Sequence, residues 1–262
     1  MFTSDGVTKS FGSVQVLQDV DLAIEPGEVV GLVGPNGSGK TTLLNCLSGF
    51  LNPDAGRIEY DGARLDRLSD WQVSRLGVRR TFQTASMPMK MSVLEVMLAG
   101  ASLPIGSAPV RGLLRRKARA GEQAAAVRKA LDLLEFLSLR HMVEERAGRL
   151  SGGQKKLLSL GVALMTDPKV LLLDEPTAGV NPTLRLTIAD RLKDINADGT
   201  TLLVIEHDMG FIGRMCGRVY VLDKGSVIAA CRPDQLKDNP RVVEAYLGAP
   251  RPAHVATGAS RP

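Results

Sequence analysis

Short apolar segments that end in polar or glycine-rich residues recur along this chain. Four of them are rich in Val, Leu and Ile and have the length of buried strands, at residues 28–33, 169–173, 200–205 and 219–222. The first three run directly into special residues at 34–37, 174–176 and 206–208. Because parallel strands place their carboxyl ends at one edge of a sheet, this pattern predicts an open, mostly parallel sheet with a site at that edge.

The segments between these strands have other patterns. Helical stretches are expected at 41–49, 154–165 and 183–196, and the alternation at 13–24 predicts antiparallel strands that 57–60 is expected to join. Residues from about 84 to 155 are rich in Ala, Leu and Arg, with apolar positions at helical spacing in 123–137, and predict a helical subdomain inserted into the core. Residues 249–262 are rich in Pro, Ala, Gly and Ser and predict a disordered tail after a single domain at 1–248.

The overall composition disfavours nucleic-acid recognition by base stacking and gives no signal for a metal motif or a disulfide framework. Hydrophobic residues make up 44% of the 262, enough for a sizeable core, whereas aromatics make up only 4%, which disfavours recognition of nucleic acid by base stacking. The net charge of +5 suits an anionic ligand or a surface close to anionic lipid. Three widely spaced cysteines give neither a metal motif nor a disulfide framework. With no leader-like or membrane-spanning run, we expect a soluble cytoplasmic chain with reduced thiols.

A glycine-rich segment carries the strongest chemical signal. Its pattern G-x-x-x-x-G-K-[ST] lies between a predicted strand and a predicted helix, the context in which backbone N–H groups cradle phosphates. Lys40 is expected to bridge the β- and γ-phosphates of ATP, and Thr41 to ligate Mg²⁺ through its hydroxyl. The residues expected to bind the nucleotide are Gly34, Pro35, Asn36, Gly37, Ser38, Gly39, Lys40, Thr41 and Thr42.

Two adjacent acids follow the second hydrophobic strand. Asp174 is placed to hold Mg²⁺, directly or through water, and Glu175 to polarise the attacking water as general base. By itself such a pair is equally compatible with a solvated turn. Next to a phosphate loop, the interpretation as metal ligand and base is favoured.

The pentapeptide at 150–154, LSGGQ, identifies one class of phosphate-loop protein. Here the sequence resembles the ATP-binding-cassette (ABC) ATPases, with motifs in that family's order from about residue 2 to 248. The resemblance implies a phosphate-loop (RecA-like) α/β core, ATP hydrolysis, and a second cassette bound head to tail. It also implies that the signature of one cassette caps ATP held by the other, through Ser151, Gly152, Gly153 and Gln154. A serine and two glycines at a helix N-terminus form a ready anion site.

The same resemblance assigns roles to isolated residues. Phe11 is similar to the aromatic that stacks on adenine, Gln83 to the switch residue near Mg²⁺ and the attacking water, and His207 to the histidine that contacts the γ-phosphate. Taken singly, Phe11 and His207 are more often structural, but their positions relative to Lys40 and Asp174 favour the ligand roles. Asn181 falls on the loop that crosses the dimer interface, where many relatives have Asp.

The helix after the signature departs from the family pattern. Relatives often carry arginines there, whereas this chain has Lys155 and Lys156. Lysine keeps the charge but lacks the bidentate fork of arginine. The departure therefore predicts altered helix contacts rather than loss of ATPase activity.

Transport and non-transport ABC ATPases remain as alternatives. Leu150 follows Lys40 by only 110 positions without sustained heptads, which disfavours the coiled-coil DNA-acting members, and a single cassette disfavours the translation factors. We therefore expect a transport ATPase at the cytoplasmic face of the membrane, bound to separate integral membrane permease subunits. A solute-binding protein is an indirect partner, and no nucleic acid is expected.

Finer matches resemble the importers of branched-chain amino acids. They lie at 80–83, 91–96, 178–182, 206–209 and, most tellingly, 242–248. Cassettes serving urea, amides or other polar solutes look similar and stay open as alternatives. A basic run at 111–119 is either a solvated face or an electrostatic contact with lipid headgroups or a membrane subunit.

Overall fold

A computed structural model describes residues 1–81, 87–101 and 115–247, with backbone alone at 115–120 and 247. Its strands are β1 Phe2–Phe11, β2 Val14–Ile24, β3 Val29–Val33, β4 Ala55–Tyr60, β5 Ala63–Arg64, β6 Val78–Arg80, β7 Val170–Asp174, β8 Thr201–Ile205, β9 Arg218–Asp223 and β10 Ser226–Cys231. Its α-helices are α1 Lys40–Leu47, α2 Asp70–Arg75, α3 Val93–Gly100, α4 Arg115–Phe136, α5 Gly152–Leu164, α6 Pro182–Ala197, α7 Met209–Met215 and α8 Pro240–Leu247.

The main sheet has six strands in the order β10-β9-β3-β8-β7-β6. Its pairings are parallel except for the hairpin of β9 with β10. The carboxyl ends of β3, β7 and β8 therefore meet at one edge, as the sequence pattern predicts. The predicted α/β fold class is confirmed.

Alternation along the central strands separates two hydrophobic cores. Leu171 and Leu173 of β7 face the core that includes α5, α6 and α7, whereas Val170 and Leu172 face the core shared with α1 and the second sheet. Successive side chains of a strand point to opposite faces, so a run of apolar residues is what a sheet buried on both faces requires. The short apolar segments of the sequence are these doubly buried strands.

The second sheet is antiparallel, with the order β2-β1-β4-β5. Both the alternating segment at 13–24 and the segment at 57–60 belong to it, as β2 and β4, but the ten-residue β1 was not predicted from the sequence. The register of β1 shifts between Ser4 and Val7, around Gly6. A bulge adds a residue and breaks the period-two alternation on which strand prediction depends.

The helices between β6 and β7 pack closely on α5 through glycines. A Cβ atom at Gly161 would lie 2.8 Å from Leu137 Cδ1 and 2.9 Å from Met97 Sδ, and one at Gly100 would lie 2.7 Å from Val162 Cγ1. These contacts join α3 and the end of α4 to α5. The boundaries of the helical subdomain, about 84–155, stay a prediction.

Several expectations fall on residues that the structure does not describe. These are Gln83, the predicted tail at 249–262 and, apart from the helical backbone of 115–119, the basic run at 111–119. Among the described helices, none has both the length and the apolar character that crossing a bilayer demands. Cys46 and Cys216 are buried, and burial raises their pKa to about 11 and about 12, whereas Cys231 is only half-buried.

Candidate functional site

The loop after β3 depends on glycine at three positions. Gly34, Gly37 and Gly39 have φ of 151°, 79° and 106°, in the region that side chains disfavour. At Gly34 there is also no space, since a Cβ atom there would lie 2.0 Å from the Leu222 carbonyl oxygen of β9. The predicted phosphate loop thus has the backbone form that glycine permits and most other residues do not.

Two neighbouring segments support this loop. In the hairpin between β9 and β10, the Gly225 N–H donates to the Ser38 carbonyl at 3.0 Å, and the Gly225 carbonyl accepts from the Gln18 N–H at 2.8 Å. A Cβ atom at Gly39 would lie 2.9 Å from both the Val16 carbonyl oxygen and Leu17 Cδ2 of β2. The antiparallel sheet and the β9–β10 hairpin together fix the position of the loop.

Lys40 begins α1 and is only 7% exposed. Its ammonium donates to the carbonyls of Gly34 and Pro35, both at 2.9 Å, so the side chain folds back over its own loop. Burial lowers the pKa of Lys40, while the nearby carboxylates of Glu175 and Asp174 act in the opposite direction. These contacts use two of the three ammonium donors, so one remains for an anion in front of the loop.

The remaining loop residues fit an anionic ligand. Ser38 Oγ is buried and has no hydrogen-bond partner within the described ranges, which is costly unless a ligand or water satisfies it. Thr41 is exposed and Thr42 half-buried in the first turn of α1, where backbone N–H groups are not used by the helix. Asn36 and Gly37 are exposed at the tip of the loop.

Asp174 ends β7 and is paired with an arginine. Arg80 of β6 donates to Asp174 Oδ2 at 2.8 Å and, through its other terminal nitrogen, to the Asn45 side-chain oxygen on α1. The side chains of Arg80 and Asp174 are 12% and 9% exposed. The predicted metal-binding carboxylate therefore lies beside the phosphate-loop helix, as part of an ion pair.

Glu175 adopts the left-handed conformation, with φ of 46°. Its N–H donates to the Ile205 carbonyl at 2.9 Å, and its own carbonyl accepts from Lys156 Nζ at 2.7 Å. Its side-chain Oε1 lies 3.0 Å from His207 Nε2. The predicted base and the predicted phosphate-contacting histidine are thus in contact at the edge of the sheet, both about two-fifths exposed.

A buried carboxylate beneath this pair fixes the two loops relative to each other. Glu206 Oε1 accepts from the Thr177 N–H and hydroxyl at 2.7 Å and 2.6 Å, and Oε2 accepts from the His207 N–H at 3.1 Å. Glu206 is 3% exposed. Because a buried charge needs such partners, Glu206 is a structural link between the segment after Glu175 and His207.

The predicted signature residues form the N-terminus of α5. Ser151 Oγ accepts from the Gln154 N–H and Gln154 Oε1 accepts from the Ser151 N–H, which is a capping box. Ser151 and Gly152 are exposed, whereas a Cβ atom at Gly153 would lie 2.1 Å from Leu184 Cδ2 of α6. None of these hydrogen bonds joins Ser151 or Gln154 to the phosphate loop of the same chain.

The segment between β7 and α6 ends in a side-chain cap. Asn181 Oδ1 accepts from the Leu184 N–H at 2.9 Å, and Pro182 is the first helical residue. Asparagine supplies this capping oxygen as well as aspartate does. Arg185 then ties α6 to α7, since it donates to Asp208 Oδ2 at 2.8 Å.

Phe11 ends β1 with its side chain largely in solvent, and Gln83 lies outside the described residues. Phe11 is 52% exposed, with Lys9 Nζ 5.8 Å from its ring centroid and paired to Asp54. An exposed aromatic ring at a strand end is available for stacking rather than part of the core. Within the described ranges, no hydrogen bond or ring contact joins Phe11 to Glu175 or His207.

Four residues of the site were not assigned these roles from the sequence: Arg80, Asn45, Lys156 and Glu206. Arg80 stands 94 positions before Asp174, and only the parallel pairing of β6 with β7 brings them together. Lys156 was singled out as a departure from arginine, but its partner is a backbone carbonyl, which has no sequence signature. Glu206 had a detectable signal, because a carboxylate that ends a buried strand needs partners.

Comparisons with known proteins agree with this geometry. The ABC transporter family model matches residues 17–178. A probable branched-chain amino acid transport ATP-binding protein, LivG, of Methanocaldococcus jannaschii is 38% identical over 94% of this chain and 96% of its own. The high-affinity branched-chain amino acid transport ATP-binding protein LivG of Escherichia coli K12 is 34% identical over 95% and 98%.

Solved structures show the same fold. A nucleotide-free ATP-binding cassette from an ABC transporter has a TM-score of 0.83 at 36% identity, and a cassette in its ADP conformation has 0.81 at 35%; each comparison covers 95% of this chain and 99% of the other. A dimeric bacterial ABC transporter cassette has 0.74 at 27% identity, over 89% and 99%. The resemblance found in the sequence is confirmed, and the chain belongs to the ABC transporter family as an ATP-hydrolysing cassette.

Proposed function

We propose that this chain powers the uptake of branched-chain or related amino acids through separate membrane subunits. The observation that carries this proposal is the match to branched-chain amino acid transport cassettes over about 95% of the chain. The cassette works at the cytoplasmic face of the membrane with permease subunits, and a solute-binding protein delivers the solute to them. Urea or amide uptake, or a task outside transport, is the alternative.

ATP binds with its phosphates on the loop from Gly34 to Thr42. Three observations support this placement: the left-handed glycines, the buried Ser38 hydroxyl without a protein partner in the described part of the chain, and the loop-held ammonium of Lys40. Backbone N–H groups at the start of α1 add a positive dipole end. The exposed ring of Phe11 offers the stacking surface for adenine.

Thr41 and Asp174 would hold the Mg²⁺ that accompanies the nucleotide, together with Gln83, which lies outside the described residues. A hydroxyl, a carboxylate and an amide oxygen are the donors that Mg²⁺ prefers, and it usually binds through few protein ligands plus phosphates. When bound there, Mg²⁺ would supply positive charge that offsets the charge on the transferred phosphoryl group.

Hydrolysis uses Glu175 and His207. Glu175 accepts the proton of the attacking water, and His207 Nε2 lies 3.0 Å from its Oε1, where it orients the carboxylate. For His207 to contact the γ-phosphate, the same ring nitrogen has to turn away from Glu175. The Lys156 and Ile205 hydrogen bonds hold the left-handed Glu175 backbone, so that the side chain projects from the strand end. The adjacent Asp174 and Glu175 therefore have different targets, Mg²⁺ for Asp174 and the attacking water for Glu175.

A second cassette completes the site. Ser151 and Gly152 are exposed at the N-terminus of α5 and hydrogen-bond within their own helix turn, so they can meet phosphate held by a partner's loop. ATP therefore favours the closed pair, and loss of the γ-phosphate contacts after hydrolysis reopens it. That motion drives the membrane subunits.

A bulky cation in place of Ser151 tests the shared site. Ser151→Arg is expected to leave ATP affinity of the isolated subunit near wild type and to lower its ATPase rate about 100-fold, the scale of losing one transition-state donor. Fluorescent-nucleotide titration and phosphate release measure the two effects. Gln123→Arg, at an exposed position of α4, adds the same charge and is the control. Full ATPase activity in Ser151→Arg contradicts the shared site.

Uptake assays test the transported solute. In a strain lacking this chain, uptake of labelled leucine, isoleucine and valine is expected to fall, and to return with the wild-type chain but not with Lys40→Ala. A loss confined to urea or amide uptake contradicts the amino-acid assignment. Unchanged uptake of every tested solute contradicts the transport role itself.

A further inference from the structure

Arg80 lies on β6 and contacts both β7 and α1, three elements that are far apart in the sequence. Its guanidinium binds Asp174 at the end of β7 and Asn45 on α1, and lies 5.9 Å from the ring centroid of Phe50. The proposed function does not use this residue, yet its partner is the carboxylate assigned to the metal.

The pairing of β6 with β7 fixes the backbone position from which the Arg80 side chain extends. Arg80 is opposite Leu172 in the parallel pairing of β6 with β7, and the following N–H, of Thr81, donates to the Leu172 carbonyl at 3.0 Å. Strand alternation sends the neighbouring Arg79 to the opposite face, where its Nε donates to Thr166 Oγ1 at 2.8 Å. The two adjacent arginines therefore serve different faces, and only Arg80 reaches the nucleotide edge.

The pair with Asp174 is shielded from solvent. With side chains 12% and 9% exposed, its charges are screened less than those of surface pairs. The planar guanidinium uses separate nitrogens for Asp174 and Asn45, so one residue sets the position of the carboxylate relative to the phosphate-loop helix. Arg80 thus supplies Asp174 with a fixed positive charge.

We infer that Arg80 competes with the divalent cation for the Asp174 carboxylate and so sets the Mg²⁺ concentration at which Mg²⁺ strengthens nucleotide binding. This inference rests on the proposed metal role of Asp174. A guanidinium 2.8 Å from Oδ2 lowers the negative potential that a cation would meet there, and two cations at one carboxylate repel each other. Mg²⁺ must therefore displace Arg80 or bind against its charge.

Removing the charge of Arg80 tests the competition. In Arg80→Met, the Mg²⁺ concentration for half-maximal tightening of ADP binding is expected to fall about tenfold, the effect of a modest change in a partly buried charge interaction. The readout is titration of a fluorescent ADP analogue, with no turnover. Arg79→Met is the matched control on the same strand, with an unchanged midpoint. An unchanged or higher midpoint in folded Arg80→Met overturns the inference.

A second variant keeps the test usable if Arg80→Met fails to fold, since that substitution leaves a buried carboxylate unpaired. Arg80→Lys keeps the charge but cannot hold Asp174 and Asn45 with a planar fork, so its midpoint is expected to fall by less than that of Arg80→Met. A midpoint in Arg80→Lys that falls as far as the midpoint of Arg80→Met also overturns the inference, because the retained charge would then have no effect on Mg²⁺.

Asp174→Asn separates the inference from the proposed function. Loss of the Mg²⁺ effect on ADP binding in this variant is the expected result, and it leaves the Arg80 variants as the test of competition. A wild-type Mg²⁺ midpoint in Asp174→Asn removes the metal from this carboxylate, and the inference falls with that assignment.

Discussion

Lys40→Ala is expected to lower the affinity for ATP about 100-fold. Charge-assisted hydrogen bonds contribute about 1.5–3 kcal/mol each, and a neutral methyl group at this position can make none to phosphate. The loss is large because Lys40 is buried within the loop and its ammonium is already positioned by the carbonyls of Gly34 and Pro35. Little conformational entropy is lost when such a side chain meets the ligand.

Fluorescent-nucleotide titration measures this affinity, and circular dichroism checks that the loop change leaves the fold intact. Lys193→Ala on the exposed side of α6 removes the same charge away from the loop and is expected to bind ATP like the wild type. Equal ATP affinity in Lys40→Ala and Lys193→Ala removes Lys40, and with it the loop, from the nucleotide site.

The site edge was predictable from the sequence because it follows from the parallel direction of the strands and from local motifs. The apolar segments that end at Val33, Leu173 and Ile205 are each followed by residues whose chemistry can be inferred from the sequence. Once the strands are parallel and neighbouring, Glu175 and His207 have to lie close together. That these two strands are neighbours was not predicted from the sequence, so their 3.0 Å contact became known only from the pairing of β7 with β8.

Other elements gave no comparable signal. The Gly6 bulge interrupts the alternation of β1, and β6 has only three residues, two of them arginine, so neither matches a strand pattern. Without β6 there is no reason to bring Arg80 to Asp174. The ion pair of Arg80 with Asp174 could therefore not be predicted from the sequence, although both residues lie in segments that were singled out from the sequence.

For the signature glycines, one requirement could be predicted from the sequence and another could not. The sequence correctly places Gly152 and Gly153 at a helix N-terminus, where backbone N–H groups have no partner within the helix. The additional requirement at Gly153 is steric, since any side chain there would meet Leu184 of α6. Such close contact between two helices depends on tertiary packing, which local sequence patterns do not report.

Glu175→Gln is expected to lower the ATPase rate by about 10²–10⁴-fold, the usual contribution of a positioned general base, and to leave ATP binding near wild type. Glutamine has the size of glutamate and can still contact His207 Nε2, so the substitution removes basicity with little change in packing. The backbone contacts with Lys156 and Ile205 do not involve the changed atoms.

The same variant is expected to accumulate a closed pair of cassettes. If ATP stabilises closure and hydrolysis is needed for reopening, blocking the chemical step holds the equilibrium on the closed side. Size-exclusion chromatography with light scattering is expected to show a dimer with ATP and a monomer with ADP, whereas the wild type returns to monomer as ATP is consumed.

Glu122→Gln on α4 is the control, because it makes the same substitution at an exposed position and is expected to turn over ATP at the wild-type rate. Near-normal turnover in Glu175→Gln means that another group takes the proton from the attacking water, and Glu175 then keeps only its contact with His207. Slow turnover without a dimer separates the two ideas: the base assignment stands, but closure does not depend on intact ATP in this chain.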